Sequence, residues 1–118
     1  VQRVTYANTC VTQVKHLIVV NAYYGSCSGT PGTPQFKDII VNGVSATSSQ
    51  PGAYSRIEGY DADHLAELFL ANVSLDATAQ SGDQNASVYL DNSNVTPGGP
   101  NVSTRTFSTS GSVPVCAF

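Results

Sequence analysis

The residues best equipped for chemistry are Asp61, Asp63 and His64, with Glu58 close by in the same segment. In an extended segment Asp61 and Asp63 point to one side, and oxygen-rich clusters of this kind bind calcium. A carboxylate beside an imidazole is also the raw material of acid/base catalysis. A metal needs more ligands than these supply, however, and Asp-Ala-Asp-His between two strand patterns reads as a turn. The turn is the expectation, with no metal and no cofactor. His16 precedes an apolar run and has no Ser, Cys or acid at triad spacing, so it reads as structural. Lys15 and Arg56 could attract an acidic polymer, but single charges of this kind are usually solvated.

Three cysteines, Cys10, Cys27 and Cys116, leave one over after any pairing. Cys27 lies in a Ser/Gly loop and Cys116 near the end, and these two are the expected disulfide pair. Cys10 reads as a small buried apolar residue, although spacing does not fix the connectivity and the odd cysteine could pair with something upstream. Asn-x-Ser/Thr sequons occur at Asn72, Asn85, Asn94 and Asn101. Asn72 should be a poor acceptor if it belongs to an interior ladder. The other three fall in expected loops.

The elements that would hold these residues follow from one repeated pattern. Val1, Val4, Tyr6, Asn8, Thr9 and Val11 recur in the same relative positions as Phe36, Ile39, Val41, Gly43, Val44 and Ala46. They recur again as Leu65, Leu68, Leu70, Asn72, Val73 and Leu75. A repeat every ~20 to 50 residues marks a solenoid, whose units cover their apolar faces by stacking. Within a unit, alternation with period two gives a strand, and the Asn or Gly that follows gives a turn. Asparagine bonds nearby backbone there and accepts left-handed dihedrals, as glycine does for lack of a β-carbon. Stacked on its equivalents, such an asparagine would form an interior ladder. The segment from His64 to Leu70 also fits a helix by composition. The register it shares with two β-branched segments favours a strand.

Between the repeats, Val14 to Tyr24 contains the run Leu17-Ile18-Val19-Val20 and reads as a return strand ending in the pair Tyr23-Tyr24. Gly25 to Pro34 is loop by composition. Further return strands are expected at Tyr54 to Tyr60 and at Ser87 to Leu90. Val102 to Phe107 can add a last short strand, and 108–118 is a tail. Strands stacked in one direction make a parallel β-helix, right-handed by the general crossover preference. The fold expected is therefore all-β, a right-handed parallel β-helix of about three coils within a larger domain, spanning 1–107. The first coil would expose unpaired backbone unless others precede it, so more of the helix is expected upstream.

Composition narrows the partners. Charged residues make up 11% of the chain, well under the usual ~25%, and apolar residues 41%, with a net charge of -3. Such a chain has enough to bury and little to repel, which excludes disorder and suits a secreted β-rich protein. Its scattered basic residues form no patch for nucleic acid or an anionic membrane. No run approaches the ~18 apolar residues of a membrane span, and no signal peptide is visible.

Several short motifs, in this order and spacing, resemble the C-terminal coils of glycoside hydrolase family 28, the polygalacturonases. They are Val4-Thr5-Tyr6-Ala7-Asn8, Val19-Val20-Asn21-Ala22-Tyr23-Tyr24, Pro34-Gln35-Phe36-Lys37-Asp38-Ile39, Gly59-Tyr60-Asp61-Ala62-Asp63-His64 and Leu70-Ala71-Asn72-Val73. Leu65 departs from related bacterial sequences, which carry proline after the histidine. The resemblance covers most of residues 1–95. It implies inverting hydrolysis of α-1,4 bonds between galacturonate units of pectin by a carboxylic acid and a carboxylate base. The family carries its catalytic groups in Asn-x-Asp, Asp-Asp, Gly-His-Gly and Arg-Ile-Lys motifs. None of these occurs here, so the catalytic residues are expected upstream of Val1, and this stretch alone should be inactive. The family's active-site tyrosine, which ends the strand after the Arg-Ile-Lys coil, corresponds to Tyr24. That residue is expected to stack on or hydrogen-bond a galacturonate ring. The whole protein is expected to be secreted, or periplasmic, and monomeric. The rival expectation is a non-enzymatic β-solenoid, an adhesin or carbohydrate-binding module.

Overall fold

The computed structural model describes residues 2–21 and 37–116. Seven strands are present: β1 (Gln2–Thr12), β2 (His16–Asn21), β3 (Lys37–Thr47), β4 (Tyr54–Glu58), β5 (Ala66–Leu75), β6 (Ala86–Ser93) and β7 (Val102–Thr106). No helix occurs among the described residues. The helix-compatible segment is thus a strand, β5, as the shared register requires.

Every named strand pairing is parallel. One sheet has the order β1-β3-β5-β6-β7, and a second pairs β2 with β4. The register of the large sheet reproduces the sequence repeat: Val4 opposes Ile39 and Ile39 opposes Leu68, Tyr6 follows with Val41 and Leu70, Thr9 with Val44 and Val73, and Val11 with Ala46 and Leu75. The repeat therefore measures which residues stack.

The bend within each long strand has a local cause. Asn8, Gly43, Asn72 and Asn92 occupy equivalent places, and all have left-handed backbone, with φ of 51°, 94°, 55° and 51°. One left-handed residue shifts the in/out alternation by a step. Ile39 and Val41 face the core before the bend, and Val44 and Ala46 face it after. At Gly43 a β-carbon would lie 3.1 Å from both the Asn8 backbone nitrogen and its Oδ1, so glycine makes room for the Asn8 side chain. The core between the two sheets holds Ile57, Leu68, Leu70, Val73 and Val88, each essentially sealed from solvent. At roughly 1.5–3 kcal/mol for each large aliphatic side chain buried, this layer is the main source of cohesion.

One expectation about the strands is corrected. Ser87 to Leu90 lies within β6, which is not a return strand but pairs directly with β5 in the large sheet. The reason is its own copy of the pattern: Ala86 and Val88 are buried and Asn92 supplies the left-handed bend. The segment that returns beside β4 is instead 79–84, bridging Ser55 to Gln80 and Glu58 to Gln84. The polar composition of that segment hides its role. It is held by backbone bonds from Ser55 to Ala79, from Ser81 to Ser55 and from Gln84 to Ile57. The buried Asp83 adds to these, accepting from the Ile57 and Gly98 amides and from the Gln80 side chain.

The disulfide is also corrected. Cys10 pairs with Cys116, with Cα atoms 5.9 Å apart. Cys10 is exposed rather than buried, because it falls on the outward side after the bend, in register with Ser45 and Ser74. Cys27 lies outside the described residues. The tail reaches Cys10 by running back across the sheet. The Thr109 amide donates to Asp91, and the Asn42 and Asn72 side chains donate to the Ser110 carbonyl.

Candidate functional site

Tyr24, the substrate-binding residue expected from the family resemblance, lies outside the described residues. The other chemistry-bearing residues can be placed.

Asp61 and His64 face each other across the turn that follows β4. Asp61 Oδ1 lies 2.7 Å from His64 Nδ1 and also accepts the Asp63 amide at 3.0 Å. The backbone closes the same turn through the amides of Tyr60 and His64, and the Tyr60 ring meets the His64 ring edge to face at 6.2 Å. The hydrogen bond with His64, helped by the Asp63 amide, lowers the Asp61 pKa below the ordinary Asp value. A carboxylate held in its charged form by turn donors is a weak base. Glu58 is not part of this group, because its carboxylate accepts a hydrogen bond from the Gln84 side chain on the neighbouring segment. The arrangement is a turn, and no cluster of three potential metal ligands occurs among the described residues.

Other acids serve the same structural end. Asp76 accepts both the amide and the hydroxyl of Ser49, at 2.9 and 2.6 Å, joining the loops after β5 and β3. Those bonds, the hydroxyl first, lower its pKa. Arg56 is engaged too, donating from Nε to the Ser81 carbonyl. His16 packs edge on against Tyr54, a structural role.

Sequence reasoning missed the outward face of the large sheet. Thr5, Ile40, Phe69, Tyr89 and Arg105 are in register along it. The Phe69 and Tyr89 rings stack at 4.6 Å and 8°, and Phe107 meets both edge on. The signal was available, since Phe69 and Tyr89 sit one residue after the core positions Leu68 and Val88. Because the two rings cover each other's faces, they form a stabilising column rather than an open stacking platform.

The asparagines form the other continuous feature. Asn72, 4% exposed, donates to Asn42 Oδ1 at 2.9 Å and accepts from Asn92 at 3.0 Å. The expected ladder is thus present with a substitution. Gly43 has no side chain to offer, and Asn42, one residue earlier, takes its place. Of the sequons, Asn72 is buried as expected, and Asn94 spends its amide on both backbone groups of Leu75. Asn101 donates to Asn85. Beside this ridge Val73, Ser74, Asn92, Ser93, Asn94 and Val113 line a shallow groove of about 430 Å³. Its lining mixes uncharged polar groups with two valines.

Comparison of the chain with protein-family models, with curated proteins and with solved structures finds no match. The functional reading therefore rests on residues and geometry.

Proposed function

We propose that this chain is part of a right-handed parallel β-helix in a secreted, polygalacturonase-like glycoside hydrolase. It would cleave α-1,4-galacturonosyl bonds of pectin with inversion. The observation that supports the reading is the stacking register: the internal repeat is the pairing register of β1, β3 and β5, and motifs that resemble the family's C-terminal coils lie on these strands. Parallel strands joined through a second parallel sheet make helical coils, and right-handed crossovers are the strong preference. In this reading the general acid and the base lie N-terminal to Val1, about 6.5–9.5 Å apart to admit the attacking water. In the same reading Tyr24 would stack on a galacturonate ring, held in place by the coils of the β-helix.

A second reading has a specific observation in its favour. Glu58, Asp61, Asp76, Asp83 and Asp91 all accept hydrogen bonds from neighbouring turns, strands or the tail. Acids used as fasteners are what a non-enzymatic, carbohydrate-binding β-solenoid would also contain. One experiment separates the two. The protein is expressed with the residues encoded before Val1 and incubated with polygalacturonate, and new reducing ends and their anomeric configuration are followed by proton NMR. Release with inversion, together with a roughly tenfold weaker KM in Tyr24→Ala from the lost ring contact, is expected. Polymer binding without any new reducing ends would replace the hydrolase with the binding module.

A further inference from the structure

The tail runs back over the other four strands of the large sheet. From the end of β7 it bonds successively to β6, through Phe107 to the Leu90 carbonyl and Thr109 to Asp91. It then meets β5 and β3 through Asn72 and Asn42, which donate to the Ser110 carbonyl at 3.4 and 3.2 Å. Finally it is bonded covalently to β1, through Cys116 and Cys10. Gly111, at φ +114°, makes the close approach possible, since a β-carbon there would lie 3.0 Å from Asn72 Nδ2 and 3.1 Å from Asn42 Oδ1. Val113 then walls the groove beside Val73 and Asn92.

The noncovalent hold is slight. Residues 108–112 and Val115 are exposed, and Val113, Pro114 and Cys116 are only partly buried. A few hydrogen bonds to partly exposed groups offset only a small part of the entropy lost in ordering a segment of this length. The core residues Ile57, Leu68, Leu70, Val73 and Val88 are buried between the sheets and belong to strands, not to the tail. One covalent bond, ending on the exposed Cys10, therefore decides whether the segment stays down.

We propose that residues 108–116 form a redox-releasable strap, closed over the Asn42–Asn72 ridge by the Cys10–Cys116 disulfide and freed by a dithiol reductant while both sheets stay folded. The dithiol attacks the disulfide, forms a mixed disulfide and then closes on itself. Two electrons and two protons pass to the protein, leaving two thiols and a cyclic disulfide of the reductant. Release uncovers the Asn42 and Asn72 amides, the Asp91 carboxylate and the Val113 side of the groove. The inference is independent of the hydrolase reading.

The test is hydrogen exchange followed by mass spectrometry on the whole chain, oxidised and after dithiothreitol, with Cys116→Ser as the permanently open form and Cys27→Ser to remove the third thiol. Peptide mapping first identifies the linked pair. The expected result is Cys10 joined to Cys116, and at least a ~10-fold loss of protection at Thr109 on reduction or in Cys116→Ser, with β3, β5 and β6 unchanged, as for a local opening. Unchanged protection at Thr109 would overturn the proposal, since the strap would then hold without the bond. Loss of protection in the strands together with the tail would also overturn it, making the disulfide a staple of the whole fold. So would a different cysteine pair.

Discussion

The carboxylates of this chain bind turns and segments together, and their protonation should be visible in stability. Asp76 gains its two acceptor bonds from Ser49 only when folded, which lowers its pKa below the ordinary Asp value of 3.8. A depressed folded pKa contributes stability that is complete above the unfolded value and lost as the pH falls through the folded one. Asp61, lowered chiefly by its bond with His64, acts in the same sense. Urea midpoints measured at steps from pH 6 to pH 2.5 should therefore decline below about pH 4, and Asp76→Asn should decline less steeply. Equal slopes for the two proteins would show that the Ser49 bonds do not favour the charged form. The single-residue readings from sequence divide by how local their cause is. The Asp61 turn and the left-handed Asn8, Gly43 and Asn72 follow from side-chain chemistry within a few residues. The role of Asn42 does not, because it depends on a missing side chain at Gly43 and a neighbour on another strand.

At the level of elements, the position after β4 carries unusually little freedom. Gly59 follows β4 where the chain passes beneath the start of β6, and a β-carbon there would lie 2.0 Å from the Asn85 carbonyl oxygen and 2.7 Å from the Ala66 nitrogen. Both neighbours are backbone in a bonded ladder, since the Ala66 amide donates to that same carbonyl. Neither can yield as a side chain would. Gly59→Ala should therefore cost at least the ~1–3 kcal/mol typical of overpacking, read as a lower urea midpoint. Gly98→Ala, with nothing within 4 Å, is the matched control and should change little. If both behave alike, the close approach at Gly59 does not exist in solution. The strands themselves were legible wherever apolar alternation was strong, as in β1, β3 and β5. The segment 79–84 was not, because its attachment to β4 runs through backbone groups and the buried Asp83, which leave no apolar signature. β6 was visible as a strand, but its assignment to the large sheet depended on recognising Asn92 as a fourth bend.

Across the whole molecule the two ends of the stack differ, and the difference has a consequence for association. At the last strand, the positions in register with the buried Val88 and the partly buried Leu90 are Thr104 and Thr106, both exposed polar residues that suit a terminal surface. At the first strand the position in register with Val41 and Leu70 is Tyr6, which is 55% exposed, and Val19 on β2 is 47% exposed. The sequence repeat revealed that Tyr6 belongs to a stacking series; the disulfide, which joins the first strand to the tail, was hidden because spacing cannot decide among three cysteines. Among the described residues β1 pairs on one side only, so its other edge presents backbone donors and acceptors beside an apolar strip. An edge of that kind recruits another strand. The 118-residue chain alone should therefore self-associate as its concentration rises, seen by sedimentation velocity from micromolar to near-millimolar protein. Tyr6→Lys places a charge on that strip and should return the chain to monomer at the same concentrations. Thr106→Lys, at the opposite end, should leave association as it was. Association abolished equally by both substitutions would mean that general surface charge governs it and not the β1 edge. A chain that stays monomeric throughout would mean the first strand is already covered.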